Sequence, residues 1–221
     1  GGLEFDGREI SALDENEIRA AARDIRAKGI GAIALTSVFS PLDGYMETRA
    51  AAILQNELPE ATITLSHRIG RIGLLERENA AILNGALTSL ADRVLGAFDR
   101  AILDLGLKAP LFISQNDGTL MTAAHAARYP VLTFASGPTN SIRGAAILSG
   151  LDDALVVDIG GTTTDIGLLL GGFPREAAMT VEVGGVRTNF RMPDLLAVGL
   201  GGGSLVRDSG DSIGPDSVGF E

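Results

Sequence analysis

Cysteine is absent from the 221 residues, and histidine occurs only twice. Without cysteine the chain forms no disulfides and no thiolate metal sites, and it has no Cys nucleophile. His67 and His125 lie 58 positions apart, which leaves too few ligands for a histidine-based metal centre. Chemistry must therefore come from carboxylates, hydroxyls, backbone groups and bound ions.

Long apolar runs and basic clusters are also missing. The longest apolar runs, such as 32–35 and 154–157, are far shorter than the roughly 20 residues of a membrane-spanning helix. The formal net charge of −10 repels polyanions, so we expect neither a nucleic acid nor a membrane as partner. A compact polyphosphate remains compatible, because backbone N–H groups and a divalent cation can hold it without a basic surface.

The first residues lack the basic flank and apolar core of a signal peptide, and no methionine begins the chain. We therefore expect a cytoplasmic location and a chain that begins inside a longer protein. Apolar residues make up 45% of the sequence, enough for the core of one large domain or two small ones.

Helical and strand patterns alternate over the first hundred residues. The patterns predict helices over 14–28, 45–58 and 74–105, and strands over 31–38 and 61–66. This order is typical of an α/β layer. Gly85 and Gly96 are possible bend points, so the last helix is either one long helix or two joined ones. Glu76, Arg77 and Glu78 are interpreted as a solvated helix face.

Strands and glycines become frequent beyond residue 108, where we place a boundary between a segment 1–108 and a segment 109–221. The patterns predict helices over 122–128 and 139–148, and strands over 111–114, 131–134, 154–159, 166–170, 178–183, 195–200 and 205–208.

One segment combines a strand, a glycine and threonine turn, and a second strand. The turn reads Asp158-Ile-Gly-Gly-Thr-Thr-Thr-Asp165. Gly160 and Gly161 permit positive φ and remove Cβ atoms, so consecutive N–H groups can converge on an anion. Thr162 to Thr164 add hydroxyl donors. Asp158 is placed to orient a magnesium water shell, and Asp165 either does likewise or caps the turn.

An ordinary hairpin is the alternative, since Gly-Gly between apolar runs is a common two-residue loop. Asp158 and Asp165 are seven positions apart, and only glycine, threonine and Ile159 lie between them. Two aspartates in this arrangement are more than a turn requires. A dinucleotide fingerprint and a P-loop fit less well, because no Gly-x-Gly-x-x-Gly opens a helix and no Gly-Lys-Ser/Thr occurs.

Three further segments have two interpretations each. Gly201, Gly202 and Gly203 either let a flat adenine approach the backbone or form a flexible loop. Ser136-Gly-Pro138 either caps the next helix, with Ser136 as N-cap, or faces an anion. Asn116, Asp117 and Gly118 either line a cleft at a strand end or form a routine turn.

Both histidines fit structural roles. His67 follows a predicted strand, and a lone histidine is more often a hydrogen-bonded structural residue than a catalyst. His125 lies on the short helix predicted over 122–128, where the structural interpretation is stronger. The sequence shows no Ser-His-Asp triad pattern.

The turn at 158–165 resembles the second phosphate motif of the sugar kinase, Hsp70 and actin superfamily. The neighbouring blocks resemble the hydantoinase A/oxoprolinase branch of that superfamily, in the order 114–121, 135–145, 199–204 and 213–219. Residues 66–70 and 75–84 resemble it too. The chain departs from the family pattern at Asp117, Thr139 and Asn140, and no Asp-x-Gly-Gly-Thr motif precedes residue 158, which again indicates a fragment.

This resemblance implies a ribonuclease H-like α/β fold of the actin/Hsp70 type. It implies that 1–108 holds the end of an N-terminal hydantoinase/oxoprolinase domain and the start of the core, and that 109–221 is an incomplete nucleotide-binding core. The implied cofactors are ATP and Mg²⁺. Gly160, Gly161, Thr162 and Thr163 would contact phosphate, Asp158 and Asp165 would hold magnesium, Gly201, Gly202 and Gly203 would face adenosine, and Asn116, Asp117 and Gly118 would border the substrate.

The implied activity is ATP-dependent hydrolysis of a cyclic amide, of the hydantoin or 5-oxoproline type, with a hydantoinase B-type subunit or domain as partner. An ATP-dependent ketone carboxylase subunit and a non-catalytic nucleotide-sensing or assembly module remain alternatives. The sequence leaves a homo-oligomer open.

Overall fold

A computed structural model describes residues 1–178, 180–207 and 210–219 and shows a mixed α/β chain. The chain forms two compact units. The first comprises 1–113, 121–133 and 180–191, and the second comprises 114–120, 134–178, 192–207 and 210–219. The two units are interleaved along the chain, because two later segments return to the first unit. The domain boundary near residue 108 stays a prediction.

The first unit contains four helices and six short strands within its described residues. In chain order these are β1 (Gly2–Leu3), β2 (Glu9–Ser11), α1 (Glu15–Ala27), β3 (Ala32–Leu35), α2 (Tyr45–Glu57), β4 (Thr62–Leu65), α3 (Leu74–Asp104), α4 (Ala123–Arg128), β10 (Val181–Val183) and β11 (Val186–Thr188). Two single-turn 3₁₀ helices accompany them, at Ser66–Arg68 and Pro130–Thr133. Strands β5 (Phe112–Ser114) and β6 (Leu120–Thr122) each span a boundary of the two units.

A βαβ arrangement forms the centre of the first unit. Strands β3 and β4 pair in parallel, with Ala32 opposite Thr62 and Leu35 opposite Leu65, and α2 connects them. Helices α1 and α2 pack against each other and against this pair of strands. The apolar core consists of Ala22, Ile33, Leu54 and Leu58, with Ile18, Ile25, Leu35, Ala61 and Ile63 packed around it. The predicted alternation of helices and strands is confirmed here.

Local signals explain the helix boundaries of this unit. Asp14 caps α1 by accepting hydrogen bonds from the backbone N–H groups of Asn16 and Glu17, and Gly29 follows the helix at a φ of 64°. The helix predicted over 74–105 is one continuous helix, α3. Gly85 lies in it where an added Cβ would approach Ala32 of β3 at 3.9 Å, so a small residue suits the close packing of helix on strand.

The second unit is built on antiparallel strands and one helix. Its elements are α5 (Ser136–Ser149), β7 (Ala154–Ile159), β8 (Thr164–Leu170), β9 (Phe173–Pro174), β12 (Leu195–Val198), β13 (Ser204–Arg207) and β14 (Ser212–Ser217). Strand β8 lies between β7 and β12 and also pairs with β9, and β13 pairs with β14. Helix α5 packs on this sheet. Gly167 on β8 makes that packing possible, since a Cβ there would lie 2.5 Å from Ile142 of α5.

Several predictions differ from the structure. The strand predicted over 131–134 is wrong, because Pro130 opens a 3₁₀ turn that the Thr133 hydroxyl closes on the Pro130 carbonyl at 2.8 Å. The predicted N-cap role of Ser136 is also wrong. Ser136 is the first helical residue of α5, and Ala135 precedes it in the left-handed region at a φ of 57°. The strands predicted over 178–183 and 205–208 include Met179 and Asp208, which lie outside the described residues.

Among the residues that the structure describes, no helix is both long enough and apolar enough to cross a membrane.

Candidate functional site

Asp158 and Asp165 lie directly opposite each other on the hairpin of β7 and β8. The register pairs Asp158 with Asp165 and Ile159 with Thr164. Directly opposed residues of an antiparallel pair point to the same face of the sheet, about 4.5–5.5 Å apart at Cβ. Both aspartates are half-buried. The hairpin therefore presents two carboxylates side by side, one step from the tip of the turn.

Two neighbouring carboxylates are groups that could hold a divalent cation. Like charges directly opposed on a sheet repel each other, and within the described residues neither carboxylate forms an ion pair or a hydrogen bond. A divalent cation would relieve the repulsion. Magnesium usually takes one or two carboxylates and completes its shell with water and phosphate oxygens. The described residues contain no cluster of three or more carboxylate or histidine ligands.

The backbone at the tip of the hairpin is partly committed to internal hydrogen bonds. The Gly160 N–H donates to the Thr163 carbonyl at 2.9 Å, which closes the turn. The N–H groups of Gly161, Thr162 and Thr163 have no acceptor within the described part of the chain. Three consecutive N–H groups are thus available to an anion. Gly160 can assist only through its missing side chain, because its N–H is already bonded.

The second predicted glycine segment packs directly against this tip. Gly202 N–H donates to the Gly160 carbonyl at 2.9 Å, and Gly203 N–H donates to the Gly161 carbonyl at 2.7 Å. A Cβ on Gly201 would lie 2.7 Å from the Gly160 oxygen and from the Gly161 carbonyl carbon. The φ angles of these five glycines lie outside the left-handed region. Glycine at positions 201 and 203 allows close approach of two backbones, since a Cβ on Gly203 would also lie only 3.0 Å from the Gly161 oxygen. The positive φ predicted as available to Gly160 and Gly161 is not adopted.

Residues 213–219 support the same corner. The Val218 N–H donates to the Gly203 carbonyl at 2.9 Å, and the Ser217 hydroxyl lies 3.4 Å from the Gly161 carbonyl oxygen. On the neighbouring strand, the Thr164 hydroxyl donates to the Leu200 carbonyl at 2.6 Å. Three of the sequence segments that carry the family resemblance, 158–165, 199–204 and 213–219, thus pack against one another. The sequence alone did not predict these contacts.

The third predicted segment forms a turn. Asp117 accepts hydrogen bonds from the Thr119 N–H at 2.9 Å and from the Thr119 hydroxyl at 2.6 Å. Gly118 adopts a φ of 86°, where its missing Cβ leaves room for Pro174 and Arg143. Asn116 is only 1% exposed. The turn interpretation therefore accounts for Asp117 and Gly118, and a substrate-side role for the segment stays a prediction.

Sequence reasoning missed a buried polar cluster in the first unit. It consists of Glu47, Ser66, His67 and Arg77. Ser66 Oγ donates to Glu47 Oε1 at 2.6 Å, and His67 Nδ1 lies 2.8 Å from Glu47 Oε2. Arg77 is 1% exposed, and its Nε donates to Ser66 Oγ at 2.9 Å. The interpretation of Arg77 as part of a solvated helix face is therefore wrong, since its guanidinium turns inward to backbone carbonyls.

The cluster holds Glu47 in its charged form. Burial alone would raise the pKa of Glu47, but the surrounding hydroxyl groups and His67 hold this pKa below its ordinary value. The Ser40 hydroxyl is near enough to contribute, although it makes no hydrogen bond of normal geometry. Burial lowers the pKa of Arg77, which the charge of Glu47 partly counteracts. Glu47 gave no sequence signal, because it lies in an ordinary helical pattern 19 residues before Ser66.

Comparison with known proteins supports a family assignment. Residues 77–221 match the hydantoinase/oxoprolinase family, and residues 1–58 match the hydantoinase/oxoprolinase N-terminal region. The alpha subunit of caprolactamase from Pseudomonas jessenii is 28% identical over 99% of the chain, which spans 32% of that subunit. The gamma subunit of acetophenone carboxylase from Aromatoleum aromaticum is 26% identical over 98% of the chain and 31% of the subunit.

Solved structures agree with these relatives. The ATP-dependent caprolactamase of Pseudomonas jessenii superposes with a TM-score of 0.78 at 27% identity, over 100% of this chain and 33% of that one. A nucleotide-free acetone carboxylase superposes with a TM-score of 0.71 at 23% identity, over 99% of this chain and 32% of that one. This second match shows a similarity of fold. The chain thus spans about a third of the length of its relatives. The predicted actin-like α/β ATPase fold is confirmed, and the chain belongs to the hydantoinase/oxoprolinase family.

Proposed function

We propose that this chain is part of an ATP-dependent enzyme that opens a cyclic amide after phosphorylation of the ring carbonyl oxygen. The observation that carries the proposal is the hairpin on which Asp158 and Asp165 face each other beside three unoccupied N–H groups. The caprolactamase relative supports a cyclic amide as the substrate class. A hydantoin or 5-oxoproline ring presents the same amide group.

The chemistry follows from the low reactivity of an amide. Resonance makes the ring carbonyl a poor electrophile but gives its oxygen nucleophilic character. When that oxygen attacks the γ-phosphorus of ATP, an O–P bond forms and the P–O bond to ADP breaks. The ring carbon then carries a good leaving group, and water or another nucleophile can add to it. Stabilising the charge on the transferred phosphoryl group is the main task of the protein.

The residues divide this task. The N–H groups of Gly161, Thr162 and Thr163 bind phosphate oxygens, and Gly160 leaves space for them. Asp158 and Asp165 would hold magnesium, which would neutralise charge on the phosphates. Gly201 to Gly203 fix the hairpin tip and offer a surface free of side chains to the adenosine. Residues 116–118 border the substrate.

The complete enzyme works with a second subunit or domain. The caprolactamase and acetophenone carboxylase relatives are named as subunits, and we propose a hydantoinase B-type partner that carries the later chemistry. We also propose a cytoplasmic location, where ATP is available.

A ketone carboxylase is the second candidate, favoured by the acetophenone carboxylase relative. Phosphorylation of a ketone oxygen requires the same nucleotide site, so the residues above do not distinguish the two activities. The two activities differ in the substrate that supports ATP turnover.

The experiment measures ATP turnover by the complete protein with its partner subunit. Caprolactam, hydantoin and 5-oxoproline are compared with a ketone plus bicarbonate, for the wild type, Asp158→Ala and Asp99→Ala. Asp99 is an exposed carboxylate on α3 and serves as the control for loss of one charge. We expect turnover that depends on a cyclic amide, a loss of about 10²-fold or more in Asp158→Ala, and unchanged activity in Asp99→Ala. Turnover only with ketone and bicarbonate would contradict a cyclic amide as the substrate. Unchanged activity in Asp158→Ala would contradict the role of the hairpin as the phosphate site.

A further inference from the structure

Two peptide groups at the tip of the β7–β8 hairpin are each held by a hydrogen bond to their carbonyl. The Gly160 carbonyl accepts from the Gly202 N–H at 2.9 Å, and the Gly161 carbonyl accepts from the Gly203 N–H at 2.7 Å. A carbonyl and the N–H of the following residue belong to one planar peptide group. The two hydrogen bonds therefore fix the planes of both peptide groups, and not only the positions of two oxygens.

These two planes determine where two of the free N–H groups point. The peptide bonds at the tip are trans, and in a trans peptide the N–H points opposite to the carbonyl. The Gly161 N–H shares its peptide with the Gly160 carbonyl, and the Thr162 N–H shares its peptide with the Gly161 carbonyl. Both N–H groups thus point away from Gly202 and Gly203. Gly161 and Thr162 are exposed, so an anion can reach these donors.

The third free N–H group, that of Thr163, is not controlled in this way. It shares its peptide with the Thr162 carbonyl, which accepts no hydrogen bond within the described part of the chain. The Thr163 carbonyl accepts from the Gly160 N–H and closes the turn, but it belongs to the next peptide group. The contact with Gly202 and Gly203 therefore sets the direction of two of the three donors at the tip.

Two hydroxyl groups hold the glycine segment, residues 200–204, in place. Thr164 Oγ1 donates to the Leu200 carbonyl at 2.6 Å, and the Gly201 N–H donates to Ser204 Oγ at 2.8 Å. The Ser204 N–H donates in turn to the Gly201 carbonyl at 3.1 Å. Thr164 is half-buried and is the first residue of β8. Its hydroxyl therefore ties the glycine segment to the same hairpin that carries the tip.

The donors of the glycine segment are already used within the protein. All five of its N–H groups donate to protein acceptors, from Leu200 to the Val198 carbonyl through Ser204 to the Gly201 carbonyl. The Thr164 hydroxyl, which the sequence predicts as a donor to an anion, donates to the Leu200 carbonyl. These groups therefore act on a bound phosphate indirectly, through the tip that they hold.

We propose that Thr164 is a positioning residue of the phosphate site, and that through the glycine segment it sets the direction in which Gly161 and Thr162 present their N–H groups to a phosphate. This inference rests on the proposed function. Donors that point at an anion before it binds need no reorientation, which makes them effective on a transferred phosphoryl group. Without the Thr164 hydroxyl the Leu200 carbonyl is released, and the peptide groups at the tip are freer to turn their N–H groups away.

The test measures the Kd of the complete protein with its partner subunit for two probes, Mg²⁺-ATP and Mg²⁺-tripolyphosphate, by calorimetry. Tripolyphosphate presents the phosphates without adenosine. Thr164→Val keeps the shape of the side chain and removes the hydroxyl, whereas Thr164→Ser keeps the hydroxyl. We expect Thr164→Val to weaken both probes by the same factor, about 3- to 10-fold, as for loss of one hydrogen bond, and Thr164→Ser to restore the affinity. Thr62→Val, the matched change at an exposed position of β4, leaves it unchanged.

Gly203→Ala tests the same role from the other side of the contact. The added Cβ would lie 3.0 Å from the Gly161 oxygen and 2.9 Å from Ser217 Oγ. A displaced Gly161 carbonyl turns the Thr162 N–H with it, because both belong to one peptide group. Both probes should again weaken by the same factor. This second variant keeps the proposal testable if Thr164→Val lowers the melting temperature.

The two probes separate an effect on the phosphates from an effect on adenosine. A loss of affinity for ATP alone, with tripolyphosphate bound as in the wild type, would overturn the proposal, and so would wild-type affinity for both probes in either variant. Failure of Thr164→Ser to restore the affinity would also contradict a role of the hydroxyl. If Asp158→Ala lost affinity for Mg²⁺-ATP in the same series, the phosphate site itself would stand. A wild type that binds neither probe would overturn both proposals.

Discussion

Asp158 and Asp165 oppose each other across the β7–β8 hairpin, and their carboxylates share one face of the sheet. Within the described residues no cationic side chain pairs with either of them. Two neighbouring negative charges lower the stability of the protein when no cation is bound. A cation held at the proposed site would offset this repulsion.

Asp165→Asn is expected to raise the stability of the complete protein in the absence of divalent cations. Removing one of two opposed charges should add roughly 0.2–1 kcal/mol to the free energy of unfolding. The same change should reduce the additional stabilisation that Mg²⁺ with ATP gives to the wild type, because ligand binding stabilises only a competent site. Thermal unfolding with EDTA and with Mg²⁺-ATP measures both effects. If Mg²⁺-ATP stabilised the variant as much as the wild type, Asp165 would not belong to the site.

Gly201→Ala is expected to displace the hairpin tip. The added Cβ would lie 2.7 Å from backbone atoms of Gly160 and Gly161, and overpacking of this kind costs about 1–3 kcal/mol. Affinity for ATP should fall as well, because the available N–H groups lie on the displaced tip. Calorimetry with Mg²⁺-ATP and thermal unfolding measure the two losses.

Gly202→Ala provides the matched comparison for stability. At this position the nearest atom to an added Cβ is 3.8 Å away, an ordinary contact. We expect the melting temperature of Gly202→Ala to stay close to that of the wild type. Equal destabilisation by the two variants would contradict the close approach described here.

The hairpin was predictable because its signals are local. A β-branched strand, two glycines, three threonines and a second strand follow one another within 154–170, and the observed β7 begins and ends where predicted. What the local pattern did not predict is the partner of the tip. The packing of Gly201 on Gly160 joins residues 41 positions apart. In a sequence, a glycine that is needed because two backbones approach closely looks the same as a glycine in a flexible loop.

The buried cluster was not predictable for a related reason. Arg77 stands between two glutamates, a pattern typical of an exposed helix face. It is buried because carbonyls of two loops and Ser66 satisfy its donors, and those partners come together only in the folded chain. The same holds for Glu47, which lies on α2, whereas its partner His67 follows β4.

Gly144→Ala is expected to stabilise the protein. Gly144 lies inside α5, and nothing lies within 4 Å of an added Cβ. Alanine in a helix interior is favoured over glycine by about 0.5–1 kcal/mol. The contrasting change is Gly150→Ala at the end of the same helix, where a φ of 69° disfavours a side chain, and it should lower stability by about 1 kcal/mol. Thermal unfolding of the complete protein distinguishes the two, and a loss of stability in Gly144→Ala would contradict the open space at this position.

Glu47→Gln is expected to change how stability depends on pH. The folded protein holds the pKa of Glu47 below its ordinary value of 4.5. The unfolded chain therefore binds more protons at this group, so the charged Glu47 contributes stability above about pH 4.5 that is lost as the pH falls through the folded pKa. Glutamine carries no such charge, so the hydrogen bonds from Ser66, Ser37 and His67 become weaker. This loss should lower the free energy of unfolding by about 1–3 kcal/mol at neutral pH. Urea unfolding of both proteins at pH 7 and down to pH 3 should show a large difference at pH 7 that narrows on acidification. A difference that stays constant with pH would mean that the charge of Glu47 is not what stabilises the cluster.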